Sequence, residues 1–320
     1  MRRIWDCTLF NGEWELLLLR VEELSEVVEK FIVVESTFTF SGFPKNLLFD
    51  KYKANFSKHA DKIQYVVIEE NNHEWSTWKR EEFQRNFVTR CVDELSESDL
   101  ILLSDVDEIP YANTVREIKE SVQDNLFGLE MSLKYFAFDF ECTAGPEKNA
   151  IWSCVFTKDL LDTYSPEQLR RGVRTRHIPS KVIKNGGEHL SYFMKQSDLR
   201  RKIFSFSHQE LNNKSIWDRL DPSQVILRGE DLFMRDDFSW SYVPQDFTFE
   251  FAKNNRELYS QFTCLAIIAS CTVDQQREIE NQQREIENQK NIFLMSRSWR
   301  YTRAIRYLHG LLIKAKNLLR

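Results

Sequence analysis

Residues 100–110 constrain the fold of this chain more than any other stretch. Four apolar residues at 100–103 are followed closely by three acids, Asp105, Asp107 and Glu108. A short apolar run is typical of a strand buried on both faces of a parallel sheet. Clustered carboxylates are costly to desolvate, so we expect them at the open carboxyl edge of the sheet, where α/β proteins bind ligands. The stretch therefore predicts an α/β fold with a site at this edge.

Asp105 and Asp107 are separated by one residue, a spacing at which two carboxylates hold a hard divalent cation. The other ligands of such an ion are waters and the phosphate oxygens of a substrate. A solvated acidic turn has the same spacing, so the motif alone leaves both interpretations open. Because crowded acids repel each other, we also expect that removing one of them leaves the stability unchanged or raises it.

The chain before this stretch alternates predicted strands with predicted helices. Apolar runs mark the strands, and apolar residues spaced three and four apart mark the helices. The strands are at residues 4–10, 31–34 and 63–68, and the helices between them are at 13–30 and 78–95; a further helix is predicted after the stretch, at 111–124. This alternation favours right-handed crossovers and a mostly parallel sheet flanked by helices. Glu35 follows the second strand, so it should emerge at the same edge as Asp105.

Composition and charge indicate a globular protein with an unusual end. Of 320 residues, 13% are aromatic and only 9 are Gly and 7 are Pro, which argues against long disordered tracts. The net charge is −5, although residues 291–320 contain seven Lys and Arg and no acid. The rest of the chain is therefore acidic, so nucleic acid is not the expected partner.

Neither end of the chain has the pattern of a secretory or membrane-spanning segment. The N-terminus reaches Asp6 before any apolar run, and no stretch of 18 apolar residues exists. The six cysteines include no Cys-x-x-Cys pair, and Cys7 and Cys91 fall in apolar patterns typical of a core. We therefore expect a reducing, cytoplasmic location.

The end of the chain predicts an appendage. Residues 275–290 repeat at a period of seven, which predicts a short coiled coil over 275–295 and a route to a homo-oligomer. Residues 296–320 predict a basic amphipathic helix that docks on an anionic membrane surface, which would make the protein peripheral on the inner face of the membrane. Residues 256–274 would be a helix linking this tail to the main domain.

Four blocks of sequence together resemble glycosyltransferase family 17. They are residues 6–10 with Glu13, residues 31–37 with Gly42, residues 83–86, and residues 104–110. The resemblance covers roughly residues 4–250, and it is specific because the Glu-Ser-Thr and Asp-x-Asp-Glu-Ile-Pro blocks occur together. The family includes the bisecting β-1,4-N-acetylglucosaminyltransferase of N-glycans and many bacterial and viral relatives. The resemblance implies a GT-A-like domain over residues 1–255.

The resemblance also implies an activity: metal-dependent, inverting transfer of a sugar to a glycan hydroxyl. The expected donor is N-acetylglucosamine linked to uridine diphosphate (UDP-GlcNAc), and the acceptor would be a glycan, such as a lipid-linked one. Asp105 and Asp107 would bind Mn2+ or Mg2+ together with the diphosphate. Glu35 would contact the nucleoside, with Thr37 in the same block, and Asn86 would lie in the donor site beside Arg85.

Other residues are candidates for the same site. Arg80 and Arg85, near the start of a helix that faces this edge, are positioned to bind the diphosphate, although a solvated helix face has the same pattern. His189 follows two glycines, Gly186 and Gly187, which allow close backbone approach. The family has a similar Gly-x-His, so the resemblance makes His189 a candidate metal ligand. A structural histidine is the alternative.

An inverting transfer also needs a base that accepts the proton of the acceptor hydroxyl. Glu210 and Asp231 lie in carboxylate-bearing blocks and are the two candidates. The sequence does not choose between them, and a surface carboxylate is the alternative for either.

Two functions of other classes remain open. A haloacid-dehalogenase-like phosphatase also places Asp-x-Asp after a strand, although usually after the first strand. A non-catalytic carbohydrate-binding scaffold would also suit the heptads and the aromatic residues.

Vesicle flotation tests the membrane expectation for residues 296–320. The full chain should float with anionic vesicles and be released at high salt, because salt screens the attraction between the cations and the lipid headgroups. A chain ending at Asp274 should stay in solution. Equal flotation of both chains, or of neither, would favour a helix that packs on the protein itself or pairs with a second copy.

Overall fold

The structure, a computed structural model, describes residues 2–270 and 284–285. Residues Met1–Ile268 form one compact unit. The predicted coiled coil at 275–295, apart from two residues, and the basic helix at 296–320 lie outside the described residues and stay predictions. Across the described part of the chain, no helix is long and apolar enough to cross a membrane.

The described residues contain a ten-stranded mixed sheet. Its strands are β1 (Ile4–Leu9), β2 (Lys30–Ser36), β3 (Ile63–Ile68), β4 (Leu100–Asp105), β5 (Glu108–Pro110), β6 (Leu126–Tyr135), β7 (Phe140–Ala144), β8 (Asn149–Thr157), β9 (Lys181–Ser191) and β10 (Ser239–Tyr242). The main path runs β10-β7-β6-β8-β4-β1-β2-β3, and β9 pairs with both β5 and β6.

The first half of the sheet is parallel. Strand β1 pairs with β2 on one side and with β4 on the other, and β2 pairs with β3. These strands are almost wholly buried apolar runs, as a sheet covered on both faces requires. The α/β architecture that was predicted as GT-A-like is confirmed, and Glu35 and Asp105 both lie at the carboxyl ends of parallel strands.

Helices flank the sheet. They are α1 (Trp14–Leu24), α2 (Phe49–Tyr52), α3 (Thr77–Asn86), α4 (Ala112–Glu120), α5 (Pro166–Arg174), α6 (Gln196–Ser205), α7 (Lys214–Arg219), α8 (Pro222–Arg228), α9 (Glu250–Asn254) and α10 (Arg256–Tyr259). The helix predicted at 13–30 ends at Leu24, and the one predicted at 78–95 continues after Asn86 only as the 3-10 turn Phe87–Cys91. Apolar spacing located α1 and α3, but it overestimated the length of both helices.

Short strand β5 lies between the Asp-x-Asp turn and α4 and ends at Pro110. Residues Glu108–Pro110 pair antiparallel with β9, and Glu108 lies opposite His189. The two backbones approach so closely that a Cβ on Gly187 would lie 2.3 Å from the carbonyl oxygen of Ile109. Glycine is therefore required at 187, and its absence of a side chain brings β9 beside the Asp-x-Asp turn.

The compact unit runs past the predicted domain end at residue 255. Tyr259 and Phe262 are buried in one apolar cluster with Phe138 and Phe193. The backbone N–H of Phe138 donates to the carbonyl of Phe262 at 3.0 Å. The first part of the predicted linking helix therefore belongs to the core of the unit.

Candidate active site

A fully buried arginine, Arg20 of α1, holds the turn that carries Asp105 and Asp107 in place. Its guanidinium donates to both carboxylate oxygens of Asp6 at 2.6 Å. It also donates to the hydroxyl of Ser104 at 2.5 Å and to the backbone carbonyl of Glu108 at 2.6 Å. Arg20 thus ties β1 and α1 to both ends of the Asp105–Asp107 turn and fixes the backbone there.

Asp105 lies between arginines from two different helices. Arg85 of α3 donates to both carboxylate oxygens at 3.1 and 3.0 Å, and Arg170 of α5 donates to Oδ2 at 3.1 Å. Arg170 also pairs with both oxygens of Glu108 at 2.6 and 2.7 Å. Burial alone would raise the pKa of Asp105, but Arg170 and Arg85 outweigh it and hold that pKa well below its ordinary value.

This pairing overturns the expectation that the acids of the motif mainly repel each other. Asp105 and Glu108 each have a guanidinium within hydrogen-bond distance. Without Asp105, Arg85 and Arg170 would lose the charge that they share, so its removal should destabilise the protein.

Asp107 has different partners. Lys202 of α6 donates to its Oδ2 at 2.7 Å, and His189 Nε2 lies 3.7 Å from its Oδ1. Burial would raise the pKa of Asp107, but Lys202 and His189 outweigh it and lower it. Burial lowers the pKa of His189 despite the acids nearby, which favours the neutral imidazole.

His189 also has an unused nitrogen. Its ring packs edge-on against Trp152 with centroids 4.1 Å apart, and Nε2 lies 2.8 Å from the hydroxyl of Ser191. The Nδ1 atom of His189 and the Nε1 atom of Trp152 are both buried without a hydrogen-bond partner. Buried polar atoms of this kind indicate a place where a water, ion or ligand completes the hydrogen bonding.

The residues near the motif fit a divalent cation only in part. Asp107 and His189 are a carboxylate and a neutral imidazole at a separation that suits two ligands of one ion. Arg85 and Arg170 bond to both oxygens of Asp105, whereas Lys202 bonds to one oxygen of Asp107, so Asp107 is the better placed ligand of the two. Within the described residues, no group of three or more His, Cys, Asp or Glu is arranged to hold a metal. An ion here would complete its shell with water and substrate oxygens, as Mg2+ commonly does.

Two predicted donor residues at the end of β2 are engaged with their own chain. Glu35 is fully buried and accepts hydrogen bonds from Lys45 Nζ, from the Tyr65 hydroxyl, and from two backbone N–H groups at residues 48 and 49, all at 2.8–3.1 Å. The hydroxyl of Thr37 donates to the carbonyl of Ile68 at 3.3 Å. These bonds shape the loop that follows β2 at the sheet edge.

Arg80 and Asn86 of α3 also bind their own chain. The Arg80 guanidinium donates to Asn71 Oδ1 at 3.1 Å and to the carbonyls of Asn72 and His73 at 3.3 Å. Asn86 Oδ1 accepts the backbone N–H of Glu167 at 3.0 Å. Arg80 therefore organises the loop after β3, and Asn86 joins α3 to α5.

The two candidate bases differ in accessibility. Asp231 is buried and accepts hydrogen bonds from Arg235 and from the indole N–H of Trp240 at 3.1 Å. Glu210 is exposed and its carboxylate lies 2.7 Å from His208 Nδ1. Among these two, only Glu210 has an oxygen open to a substrate.

Sequence patterns missed three cations of this site: Arg20, Arg170 and Lys202. Each lies on a helix whose charged residues look like a solvated face. Lys202 follows two other cations at 200 and 201, so nothing in the sequence distinguishes it. The only available signal was the excess of acid at 105–108, which requires cations from elsewhere in the chain.

A known protein family matches most of this chain. The model of glycosyltransferase family 17 matches residues 1–262. This chain belongs to glycosyltransferase family 17. The match includes β1–β4, the Asp-x-Asp turn, and the segments that carry Arg170, His189 and Lys202.

Curated relatives match a shorter part of this family 17 chain. The β-1,4-mannosyl-glycoprotein 4-β-N-acetylglucosaminyltransferases of Rattus norvegicus and Homo sapiens are 31% identical to it over 126 residues, or 37% of the chain. Those residues are 23% and 24% of the two relatives, so the match spans about a quarter of their length.

Solved structures have a more distant likeness to this family 17 chain. HddC from Yersinia pseudotuberculosis is 11% identical over 51% of this chain and 80% of its own, with a TM-score of 0.31. Glucosyl-3-phosphoglycerate synthase from Mycobacterium tuberculosis, solved with Mn2+, UDP-glucose and glycerol 3-phosphate, is 11% identical over 62% of this chain and 75% of its own, with a TM-score of 0.36. Neither likeness bears on the substrate of the family 17 chain.

The ion pairs of Asp105 predict the effect of its removal. Asp105→Asn should lower the free energy of unfolding by about 2 kcal/mol at pH 7, less than the roughly 3–5 kcal/mol of a fully buried pair because the carboxylate is partly exposed. The lowered pKa makes this stabilisation complete above about pH 4 and weaker as the pH falls. Urea unfolding at several pH values should therefore give a difference between wild type and variant that shrinks below pH 4.

A matched control is Asp246→Asn, which removes an exposed carboxylate paired with Arg256 and should leave the stability nearly unchanged. Unchanged or increased stability of Asp105→Asn at pH 7 would contradict the account and restore the picture of repelling acids.

Proposed function

We propose that the protein transfers a sugar from a nucleotide-sugar donor to a glycan hydroxyl, with inversion at the anomeric carbon. The observation that carries the proposal is the Asp107–His189 pair beside Arg85, Arg170 and Lys202 at the carboxyl end of β4. Family 17 membership supports the transferase class. The names of the relatives specify N-acetylglucosamine transfer, so UDP-GlcNAc is the donor that we propose.

The cations of the site suit a diphosphate leaving group. Negative charge develops on the diphosphate as the glycosidic bond breaks, and preorganised cations stabilise it with little reorganisation. Arg85 is held by three acids, Glu81, Asp105 and Glu167, so its position is fixed before the donor binds. Lys202 is held by Asp107 and lies 3.6 Å from Glu13.

Asp107 and His189 would hold Mn2+ or Mg2+ with the donor. Such an ion would supply Lewis-acid stabilisation of the departing diphosphate. Asp105 would act through the backbone and Arg85, and its own oxygens would stay on the two arginines. Lys202 would have to exchange part of its contact with Asp107 for the diphosphate.

The base that we propose is Glu210. In one displacement, the acceptor oxygen forms a bond to the anomeric carbon as the bond to the diphosphate oxygen breaks. The hydroxyl proton passes to the Glu210 carboxylate, and the electron pair of the broken bond stays on the diphosphate. Asp231 is a poorer candidate, since Arg235 and Trp240 occupy its oxygens.

Thermal unfolding with nucleotide sugars, combined with transfer assays, tests these roles. UDP-GlcNAc with Mn2+ at 100 times its Kd should stabilise the wild type by about 2.7 kcal/mol. Asp107→Asn should lose both the Mn2+-dependent stabilisation and turnover. Glu210→Gln should keep donor stabilisation but lose turnover by about 100-fold or more, in line with general-base contributions.

Asp231→Asn is the companion variant for Glu210→Gln. It should be less stable yet turn over normally once folded, because its carboxylate holds Arg235 and Trp240. Full Mn2+-dependent turnover by Asp107→Asn, or normal turnover by Glu210→Gln, would contradict the assignments.

The same assays separate the alternative functions. Family 17 membership gives no support to a haloacid-dehalogenase-like phosphatase, which would release phosphate from an aryl phosphate. A carbohydrate-binding scaffold would bind sugars without donor turnover. We further propose that the basic helix at 296–320 brings the enzyme to a lipid-linked acceptor at the membrane, and that residues 275–295 pair two copies.

A further inference from the structure

Three large aromatic side chains remain exposed on one surface of the unit. Phe43, Trp78 and Phe204 have relative exposures of 53%, 51% and 43%. The rings of Phe43 and Phe204 contact each other with centroids 5.0 Å apart. We refer to Phe43, Trp78, Phe204 and the neighbouring His208 as the aromatic patch.

His208 connects the aromatic patch to polar groups. Its ring packs edge-on against Trp78 with centroids 4.6 Å apart, and its Nδ1 atom lies 2.7 Å from the carboxylate of Glu210. Apolar ring faces thus lie directly beside an exposed imidazole and an exposed carboxylate. This combination is typical of a ligand surface rather than of a buried core.

Hydrogen bonds hold the three segments of the aromatic patch together. The backbone N–H of Ser41 donates to the carbonyl of Ser205 at 3.3 Å, which fixes the loop carrying Phe43 against the end of α6. The hydroxyl of Thr77 donates to the carbonyl of Ser207 at 2.9 Å, which fixes the start of α3 beside His208. These bonds hold the segments that carry the aromatic patch in fixed positions.

The same two helices carry the patch and the charged site. On α3, Trp78 and Arg85 are seven residues apart, which places them on the same face about 10 Å apart along the axis. On α6, Lys202 contacts Asp107, whereas Phe204, two residues later, lies on the nearly opposite face of the same helix. The aromatic patch thus begins within about two helical turns of the proposed diphosphate site.

We infer that the aromatic patch binds the acceptor glycan, an inference that rests on the proposed transferase function. A pyranose ring has an apolar face of C–H groups that packs on an aromatic ring, while its hydroxyls bond to polar groups at the rim. Phe43, Phe204 and Trp78 supply the faces, and His208 and Glu210 supply the polar rim. The patch would hold an acceptor hydroxyl beside the proposed base.

Acceptor kinetics with full-length single variants test this inference. The probes are N-acetylchitotriose and mannotriose, with binding followed by saturation-transfer NMR and transfer followed with UDP-GlcNAc. Trp78→Ala and Phe204→Ala should each raise the acceptor KM by roughly tenfold, the loss expected for one aromatic contact. Stabilisation by UDP with Mn2+ should stay at the wild-type level, because the donor residues are unchanged.

Tyr242→Ala is the matched control, since Tyr242 is equally exposed at 58% but lies on β10, at the opposite end of the sheet path from β3. It should keep the wild-type acceptor KM. Wild-type KM in the patch variants, an equal rise in Tyr242→Ala, or no binding of either oligosaccharide by a wild type that binds UDP would overturn the inference. Failure to bind UDP at all would instead contradict the proposed function.

Discussion

The structure depends on neutralising acids that are buried in the strands beside the Asp105–Asp107 turn. Asp6 and Glu108 are 0% and 1% exposed, and Arg20 and Arg170 are the cations that accompany them. An unpaired charge at this depth would cost several kcal/mol, so each acid fixes the position of a specific helix. Arg20 fixes α1 against the turn, and Arg170 fixes α5 against it. The site is therefore organised by the same ion pairs that hold the helices on the sheet.

These pairs give the two aspartates of the motif separate tasks. Asp105 is committed to Arg85 and Arg170, whereas Asp107 faces a neutral imidazole and one lysine. A lysine is a flexible point charge that exchanges partners more easily than a bidentate arginine. Asp107 is thus the aspartate better suited to receive a ligand, and Asp105 the one that keeps Arg85 in place.

The sequence predicted those parts of the fold that depend on local patterns. Apolar runs located β1 to β4, and the acid after β4 correctly indicated the edge at which Glu35 and Asp105 emerge. Partners distant in sequence were not predictable: Arg170 is 65 residues from Asp105, and Lys202 is 95 residues from Asp107. The strands of the second half pair mostly antiparallel but are buried along much of their length, so they lack the alternation that would identify them.

Among the candidate site residues, the sequence predicted which ones reach the site but not which groups they bind there. Asp105, Asp107, Arg85 and His189 come together as the motifs suggested. Glu35 and Arg80 reach the same edge, but their polar atoms bind their own loops, and only the three-dimensional contacts reveal this. Hydrogen-bond partners, not residue type, thus distinguish a ligand-binding side chain from one that shapes the loop beside it.

The most direct test of this account is a double-mutant cycle between Asp105 and Arg170. Free energies of unfolding would be measured at pH 7 for Asp105→Asn, Arg170→Met and the double variant. A shared ion pair predicts a coupling free energy of about 1–3 kcal/mol, because the second substitution removes a partner that is already lost. Single effects that add to within about 0.3 kcal/mol would show that the two charges act independently, and would contradict the central role given to this pair.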